Sequence, residues 1–265
     1  MVRFKIGVVP YLNAKPLIYG LEERRDEVDL FYAVPSALPK IFLDDKLDVV
    51  LMPSVNYFRS KNVYKIIPDC SISSDGSVES VKLFIRAPKV EMVKVVALDK
   101  NSLTSCVLTK IILWKRYSIK PKYVVLDDQG TVNDEGIDAF LVIGDNAMRL
   151  SEEGFHVLDL GLEWKKLVGF PFVYAVWVTR VNSRLFGVNK LLKDAKERGV
   201  KSVDRIASSE SERVHFEKER CLRYLKESIK YHLGEREIKG LEAFYRCALE
   251  LGEVCEGVTI GFNEW

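Results

Sequence analysis

Histidine is scarce in this chain: His156, His215 and His232 are the three among 265 residues. None lies at a catalytic spacing from an acid or a cysteine, and no H-E-x-x-H occurs, so a histidine-based nucleophilic site or a zinc-hydrolase site lacks its parts. His215 and His232 fall in charged helical sequence and read as surface residues; His156 precedes a strand and reads as structural. There is no P-loop, no G-x-G-x-x-G, no G-x-S-x-G and no EF-hand loop. The five cysteines, Cys70, Cys106, Cys221, Cys247 and Cys255, are odd in number, scattered and free of any C-x-x-C, which reads as free thiols in a reducing compartment. No apolar stretch approaches a membrane span, and the N-terminal run from Phe4 to Val9 is too short for a signal segment. A formal net charge of +2 with 29% charged residues gives no electrostatic case for nucleic acid or a membrane surface. The expected location is the cytoplasm, with no metal, nucleic-acid or membrane partner.

What is present is a repeated strand–helix grammar. "FKIGVV" reads as a strand, "AKPLIYGLEERR" as a helix with Pro16 in its first turn, "VDLFYAV" as a strand, "PSALPKIFLDDK" as a helix and "LDVVLMP" as a strand. "SVNYFRS" opens another helix with Ser54 at the N-cap. The middle third repeats this with "VKVVALDK", "SLTSCVLTKIILWKR", "KYVVLDD", "IDAFLVIGD" and "HVLDLG". Short apolar strands between helices imply an α/β fold with parallel sheets covered on both faces. Two long extended segments bracket the middle unit: one around Asp75-Gly76, the other "FPFVYAVWVTR". They suggest two crossings between lobes, with 1–84 and 177–265 forming the first lobe and 85–176 the second. From about Ser183 the chain reads as helical, with Leu222, Leu225 and Ile229 on one face and Ile238, Leu241, Phe244, Tyr245, Ala248 and Leu251 on another. These helices are expected on the first lobe, and "SSESER" (208–213) reads as a turn with N-cap chemistry.

Chemistry then rests on amides, hydroxyls and glycines at strand ends. Tyr11 and Asn13 follow the first strand, and Ser54 the third. Ser77 and Ser80 lie in "SDGSVESVKLF". Ser102, Thr104 and Ser105 open the helix after "VVALD", and Gly144 and Asp145 close "FLVIGD". Ligands of open α/β sheets bind at the carboxyl ends of strands, and hydroxyls and N–H groups at helix N-termini suit carboxylates. The pattern points to a small anion between two lobes. Each position has a plainer reading on its own: Ser54, Ser102 and Asn13 as helix caps, Asp145 as an acceptor for turn N–H groups. "TSCVLTKIILW" carries an apolar core stripe. Recurrence of these positions in both lobes favours the site.

Six segments in order, "IGVVPYLNAKPLIYGL", "LMPSVNYF", "SISSDGSVESVKLF", "ALDKNSLTSCVLTKIIL", "LVIGDNAM" and "DLGLEWKKLVGFPFVYAVW", resemble the chorismate dehydratases of the futalosine route to menaquinone. The resemblance covers roughly residues 3 to 180. It implies a two-lobed type II periplasmic-binding-protein fold with two hinge strands, and a cofactor-free hydro-lyase that turns the dicarboxylate chorismate into 3-[(1-carboxyvinyl)oxy]benzoate. It also implies Asn13 beside the reacting ring; Tyr11, Ser54, Ser80, Ser102, Thr104, Ser105, Gly144 and Asp145, read from their positions at strand ends, are the expected substrate-binding set. The chain departs from the family at Leu103, where arginine is usual, at Val168, where threonine is common, and at Ile85, where serine is common. The rivals are a dihydroxynaphthoate-forming sister enzyme on the same fold and a non-catalytic small-anion-binding protein. Assembly as a homodimer is left open.

Overall fold

The computed structural model describes residues 3–126 and 136–265. The first third alternates as its apolar runs require: β1 (Phe4–Val8), α1 (Lys15–Glu22), β2 (Val28–Tyr32), α2 (Leu38–Leu43), β3 (Val49–Pro53) and α3 (Ser54–Phe58). β3 is buried at every residue because it lies inside its sheet with both faces covered. β4 (Tyr64–Ser74) then leads across to the second unit: β5 (Val81–Ile85), β6 (Val95–Asp99), α4 (Leu103–Tyr117), β7 (Lys122–Leu126), β8 (Ala139–Ile143), α5 (Gly144–Arg149), β9 (His156–Asp159) and α6 (Leu160–Val168). The expected strand "KYVVLDD" begins as β7, and its last two residues lie outside the described residues. β10 (Phe172–Arg180) returns to the first lobe, where α7 (Val188–Lys201), α8 (Val203–Val214), α9 (Lys218–Arg223) and α10 (Glu235–Glu250) follow.

Two five-stranded sheets result, in the orders β2-β1-β3-β10-β4 and β7-β6-β8-β5-β9. Both are mixed rather than purely parallel. β1, β2 and β3 run parallel, and β10 runs antiparallel to β3 and β4; β6, β7 and β8 run parallel, and β5 runs antiparallel to β8 and β9. The crossing segments cause this, since each enters its sheet from the opposite end. They also set the change of sheet earlier than the expected boundaries at 84/85 and 176/177. Val81–Ile85 belongs to the second sheet and Phe172–Arg180 to the first, so the chain changes sheets within 75–80 and 169–171.

The C-terminal helices cover the first sheet, with α7 against α1 and β4 and α10 against β10. Two details correct the sequence reading. "SSESER" lies inside α8, because Ile206, Ala207, Glu210 and Val214 form a buried stripe and the serine hydroxyls donate to carbonyls of their own helix (Ser208 to Asp204, Ser209 to Ile206, Ser211 to Ser208). The helix expected through Leu222, Leu225 and Ile229 ends at Arg223. A single π turn over Tyr224–Ser228 follows, Ile229 N–H reaches Tyr224 C=O at 3.2 Å, and Ile229 is extended. At the second crossing, Phe172 meets Trp164 of α6 and Phe244 of α10 edge-on, with centroids 5.1 and 5.2 Å apart, so one ring joins strand, second lobe and C-terminal helix.

α7 lies close on α1 because small residues face each other: a Cβ at Gly20 would fall 2.6 Å from Ala195 Cα, and one at Gly199 would collide with the Pro16 carbonyl. Both partners there are backbone, which has no rotamer to yield. Gly199→Ala is therefore expected to cost about 1–3 kcal/mol through overpacking, read as a lower melting temperature, whereas Val200→Ala on the exposed face beside it leaves the melt nearly unchanged.

Candidate active site

A cavity of about 670 Å³, its open mouth included, lies between the sheets. It is built from the carboxyl ends of β1, β3, β6 and β8, the hinge strands and the turn 78–81. Seven of the nine expected positions line it: Tyr11, Asn13, Ser80, Ser102, Thr104, Ser105 and Gly144. Ser54 and Asp145 do not. Ser54 is the first residue of α3 rather than its cap, and its hydroxyl donates to Val173 C=O of β10 at 2.6 Å, which ties α3 to a hinge strand. Asp145 faces the gap between lobes beside the cavity. Its carboxylate lies 3.8 Å from Arg213, and burial raises its pKa above the usual carboxylate value. Ser77 donates to Asp159 instead of a ligand. The three histidines are exposed and away from the cavity.

The helix-cap readings do not hold for the two residues that matter most. α1 is preceded by a short 3-10 turn, and Ala14 occupies its N-cap, so Asn13 caps nothing. Its Oδ1 is buried and accepts no hydrogen bond among the described residues. Ser102 does occupy the N-cap of α4, yet its side chain makes no capping bond, which leaves the hydroxyl facing the cavity. Tyr11 is partly buried; desolvation, with the charges of Asp99 and Asp145, pushes its phenol up, so it stays neutral.

Ser80 is the most tightly placed of the set. Its N–H reaches Val78 C=O at 2.7 Å across Glu79, whose φ is 61°: a γ-turn of the rare positive-φ kind. Its C=O accepts from Gly144 N–H at 2.7 Å, and Tyr224 OH donates to its Oγ at 2.8 Å. The strained turn is held by one carboxylate. Asp159 accepts from Ser77 Oγ at 2.7 Å, Val78 N at 3.0 Å, Glu79 N at 2.8 Å and, as N-cap of α6, Leu162 N at 3.0 Å. Gly161 admits the turn: a Cβ there would fall 2.6 Å from Gly76 O and 2.9 Å from Tyr174 OH.

The lobes touch across the cavity. Ser36 donates to Asn101 Oδ1 at 2.8 Å, and Val55 N–H reaches Thr104 Oγ1 at 3.4 Å. Asn101 and Tyr174 are lining residues that the sequence reading missed. Asn101 sits directly before Ser102 in the same loop, a signal that was there to use. Tyr174 sits inside an apolar run, and only the fold shows its hydroxyl pairing with Ser74 at 3.1 Å. Among the described residues lining the cavity none is Lys, Arg or His, and Leu103 faces it. Ile85 is buried in β5 and Val168 lies off the cavity at the end of α6. Burial pushes the Cys70 and Cys106 thiols up to about 12, and neither lines the cavity. Among the described residues no group of three His, Cys, Asp or Glu side chains is placed to hold a metal ion, and no helix is long and apolar enough to cross a membrane.

A family model described as menaquinone biosynthesis matches residues 4–250. A chorismate dehydratase of Thermus thermophilus is 29% identical over 259 residues, covering 91% of this chain and 93% of that protein. Among solved structures, protein AF1704 of Archaeoglobus fulgidus superposes with a TM-score of 0.74 at 15% identity, covering 95% of this chain and 98% of its own. The Candida albicans CA3427 gene product, described as having the generic periplasmic-binding-protein fold, superposes with a TM-score of 0.67 at 10% identity over 99% of both chains. The likeness to the CA3427 product establishes the fold: two α/β lobes of periplasmic-binding-protein type.

Asp159→Ala removes the acceptor of four donors and is expected to cost roughly 1–3 kcal/mol of stability. The loss is local, so hydrogen exchange at the Val78 and Glu79 amides should quicken well beyond that of the β10 amides. Equal quickening throughout would mean that the carboxylate does not hold the turn specifically.

Proposed function

Because the chain belongs to the menaquinone-biosynthesis family, we propose that it is a dehydratase that removes water from chorismate to give 3-[(1-carboxyvinyl)oxy]benzoate. The relative of that name in Thermus thermophilus supports the substrate. The single observation that carries the chemistry is a buried Asn13 Oδ1, without a partner among the described residues, in a cavity whose polar groups are hydroxyls and amides set in apolar walls. The reaction breaks the C–H bond at the ring carbon bearing the enolpyruvyl ether and the C–O bond of the neighbouring hydroxyl. The C–H electron pair becomes the new ring double bond, hydroxide leaves, and the proton goes to it to form water. Aromatisation drives the step, so the protein's work is to orient the dianion and assist the departing groups. A neutral amide is a poor base. Asn13 therefore orients, its Oδ1 accepting and its amide N–H groups donating, while a carboxylate of the substrate takes the proton and passes it to the departing hydroxide.

Carboxylates are met by hydroxyls rather than by cations. Ser102, Thr104 and Ser105 surround the N-terminus of α4, a fifteen-residue helix whose first N–H groups favour an anion. Leu103 in place of the usual arginine leaves that role to them. The contacts across the cavity, Ser36 to Asn101 and Val55 to Thr104, keep bulk water from the bound dianion when the lobes are together. The cytoplasm is the proposed compartment, supported by five cysteines that are all unbridged.

Purified protein incubated with chorismate and a chelator should yield a product lighter by one water, identified by mass. Chorismate recovered unchanged from folded protein sinks the reading in favour of an anion-binding role. Asn13→Ala should lower kcat by about a hundredfold to a thousandfold while product affinity stays nearly intact; a variant with normal turnover removes Asn13 from the chemistry.

A further inference from the structure

Resting on the dehydratase reading above, we infer that Tyr224 is a positioning residue for Ser80. Its phenol donates to the serine oxygen and thereby leaves the serine's own proton for the bound ligand. The two oxygens are 2.8 Å apart, both residues are buried, and Ser80 lines the cavity while Tyr224 stands behind it. A pair of hydroxyls shares one hydrogen bond, and the phenol, the stronger acid, is the natural donor. Among the described residues Ser80 Oγ has no other partner, and its main-chain N–H and C=O are already bonded to Val78 and Gly144. With its lone pair occupied from behind, the serine O–H has the cavity as its remaining direction. Accepting a hydrogen bond also polarises an O–H and strengthens it as a donor.

The backbone that carries Tyr224 is built for this placement. It is the first residue of the π turn Tyr224–Ser228, an uncommon insertion that is frequent at functional sites. The same turn sends Ser228 Oγ to Glu79 Oε1 at 2.6 Å. The π turn thus grips the strained γ-turn on both sides, at the Glu79 side chain and at the Ser80 hydroxyl. Just beyond it, Lys230 exchanges main-chain bonds with Ser73 of the first hinge strand, at 2.7 and 2.9 Å. Two other phenols share this interior. Tyr174 is paired with Ser74, and Tyr231 OH is buried with no partner among the described residues, so neither competes for Ser80. Complete burial pushes the Tyr224 phenol well above its ordinary value, which keeps it protonated and donating through the working pH range.

The test is a double-mutant cycle on the full chain: wild type, Tyr224→Phe, Ser80→Ala and the double variant. Each is checked by thermal melt, then measured for chorismate turnover and, by calorimetry, for affinity towards 3-[(1-carboxyvinyl)oxy]benzoate. Tyr224→Phe removes one hydroxyl and keeps the ring, so kcat/KM and product affinity should fall about three- to tenfold, the worth of one neutral hydrogen bond. In the Ser80→Ala background the same change should alter either quantity less than about twofold, because the group being positioned is gone. A Tyr224 hydroxyl that acts on the site independently of Ser80 gives the same loss in both backgrounds. That outcome, or an unchanged Tyr224→Phe, overturns the inference while wild-type turnover keeps the reaction in place. Wild-type protein that neither converts chorismate nor binds the product overturns the reaction, and this inference with it. If Ser80→Ala does not fold, Ser80→Cys takes its place in the cycle, since a thiol accepts and donates only weakly.

Discussion

The architecture of the site depends on one carboxylate. Asp159 sits where β9 becomes α6, and it holds Ser77, Val78 and Glu79 through three donors while capping its own helix. The turn it holds is the point at which the chain leaves the first sheet for the second. A positive φ at a β-unbranched but bulky residue such as Glu79 is unfavourable and persists only where its surroundings over-determine it. Here the acid below, the π turn behind and Gly144 N–H in front do so together. Ser80 is thereby aimed by backbone, whose position is fixed by two lobes at once, rather than by a side chain free to rotate.

Much of this was legible in the sequence, and the pattern of misses is instructive. Strand ends read correctly because buried strands are written in apolar runs, and a polar residue just past such a run has few reasons to be there. Tyr11, Asn13, Ser102, Thr104, Ser105 and Gly144 lie just past such runs and line the cavity; Ser80 lines it from just before β5. Ser54 follows the same rule and does not, because its hydroxyl turns 119 residues along the chain to Val173, a partner no local pattern announces. "SSESER" misled for the opposite reason: serine favours turns, but Ile206, Ala207, Glu210 and Val214 bury one face, and tertiary packing overrode the local preference. Tyr174 and Tyr224 stayed hidden because a buried tyrosine looks like any other aromatic core residue until its hydroxyl is seen to have a partner.

The cleft combines apolar walls with hydroxyls, of which Ser80, Thr104 and Tyr174 are bonded within the fold. Ile72, Val78 and Ile229 give it an apolar surface, and among the described residues Asn13 Oδ1 accepts no hydrogen bond and the Ser102 hydroxyl makes no capping bond. Such atoms are costly to bury unless a ligand completes them. That cost is offset by a core that reaches through both lobes, with Trp164, Phe172 and Phe244 stacked edge to face at the second crossing. A rigid aromatic joint beside a pair of strands lets the lobes share a fixed relation at one end while the mouth is bridged by the slender Ser36–Asn101 and Val55–Thr104 contacts.

The lack of Lys, Arg and His among the described residues lining the cleft has a kinetic meaning. Long-range attraction by a cluster of like charges raises encounter rates and fades as salt is added. This cleft has no such cluster at its wall, and the whole chain carries a formal charge of only +2. On the proposed reading, the dianion is recognised at contact, by the hydroxyl and amide groups of the cleft. A cleft without a charge cluster at its wall draws little on long-range attraction, so selectivity rests on shape and hydrogen-bond geometry more than on charge.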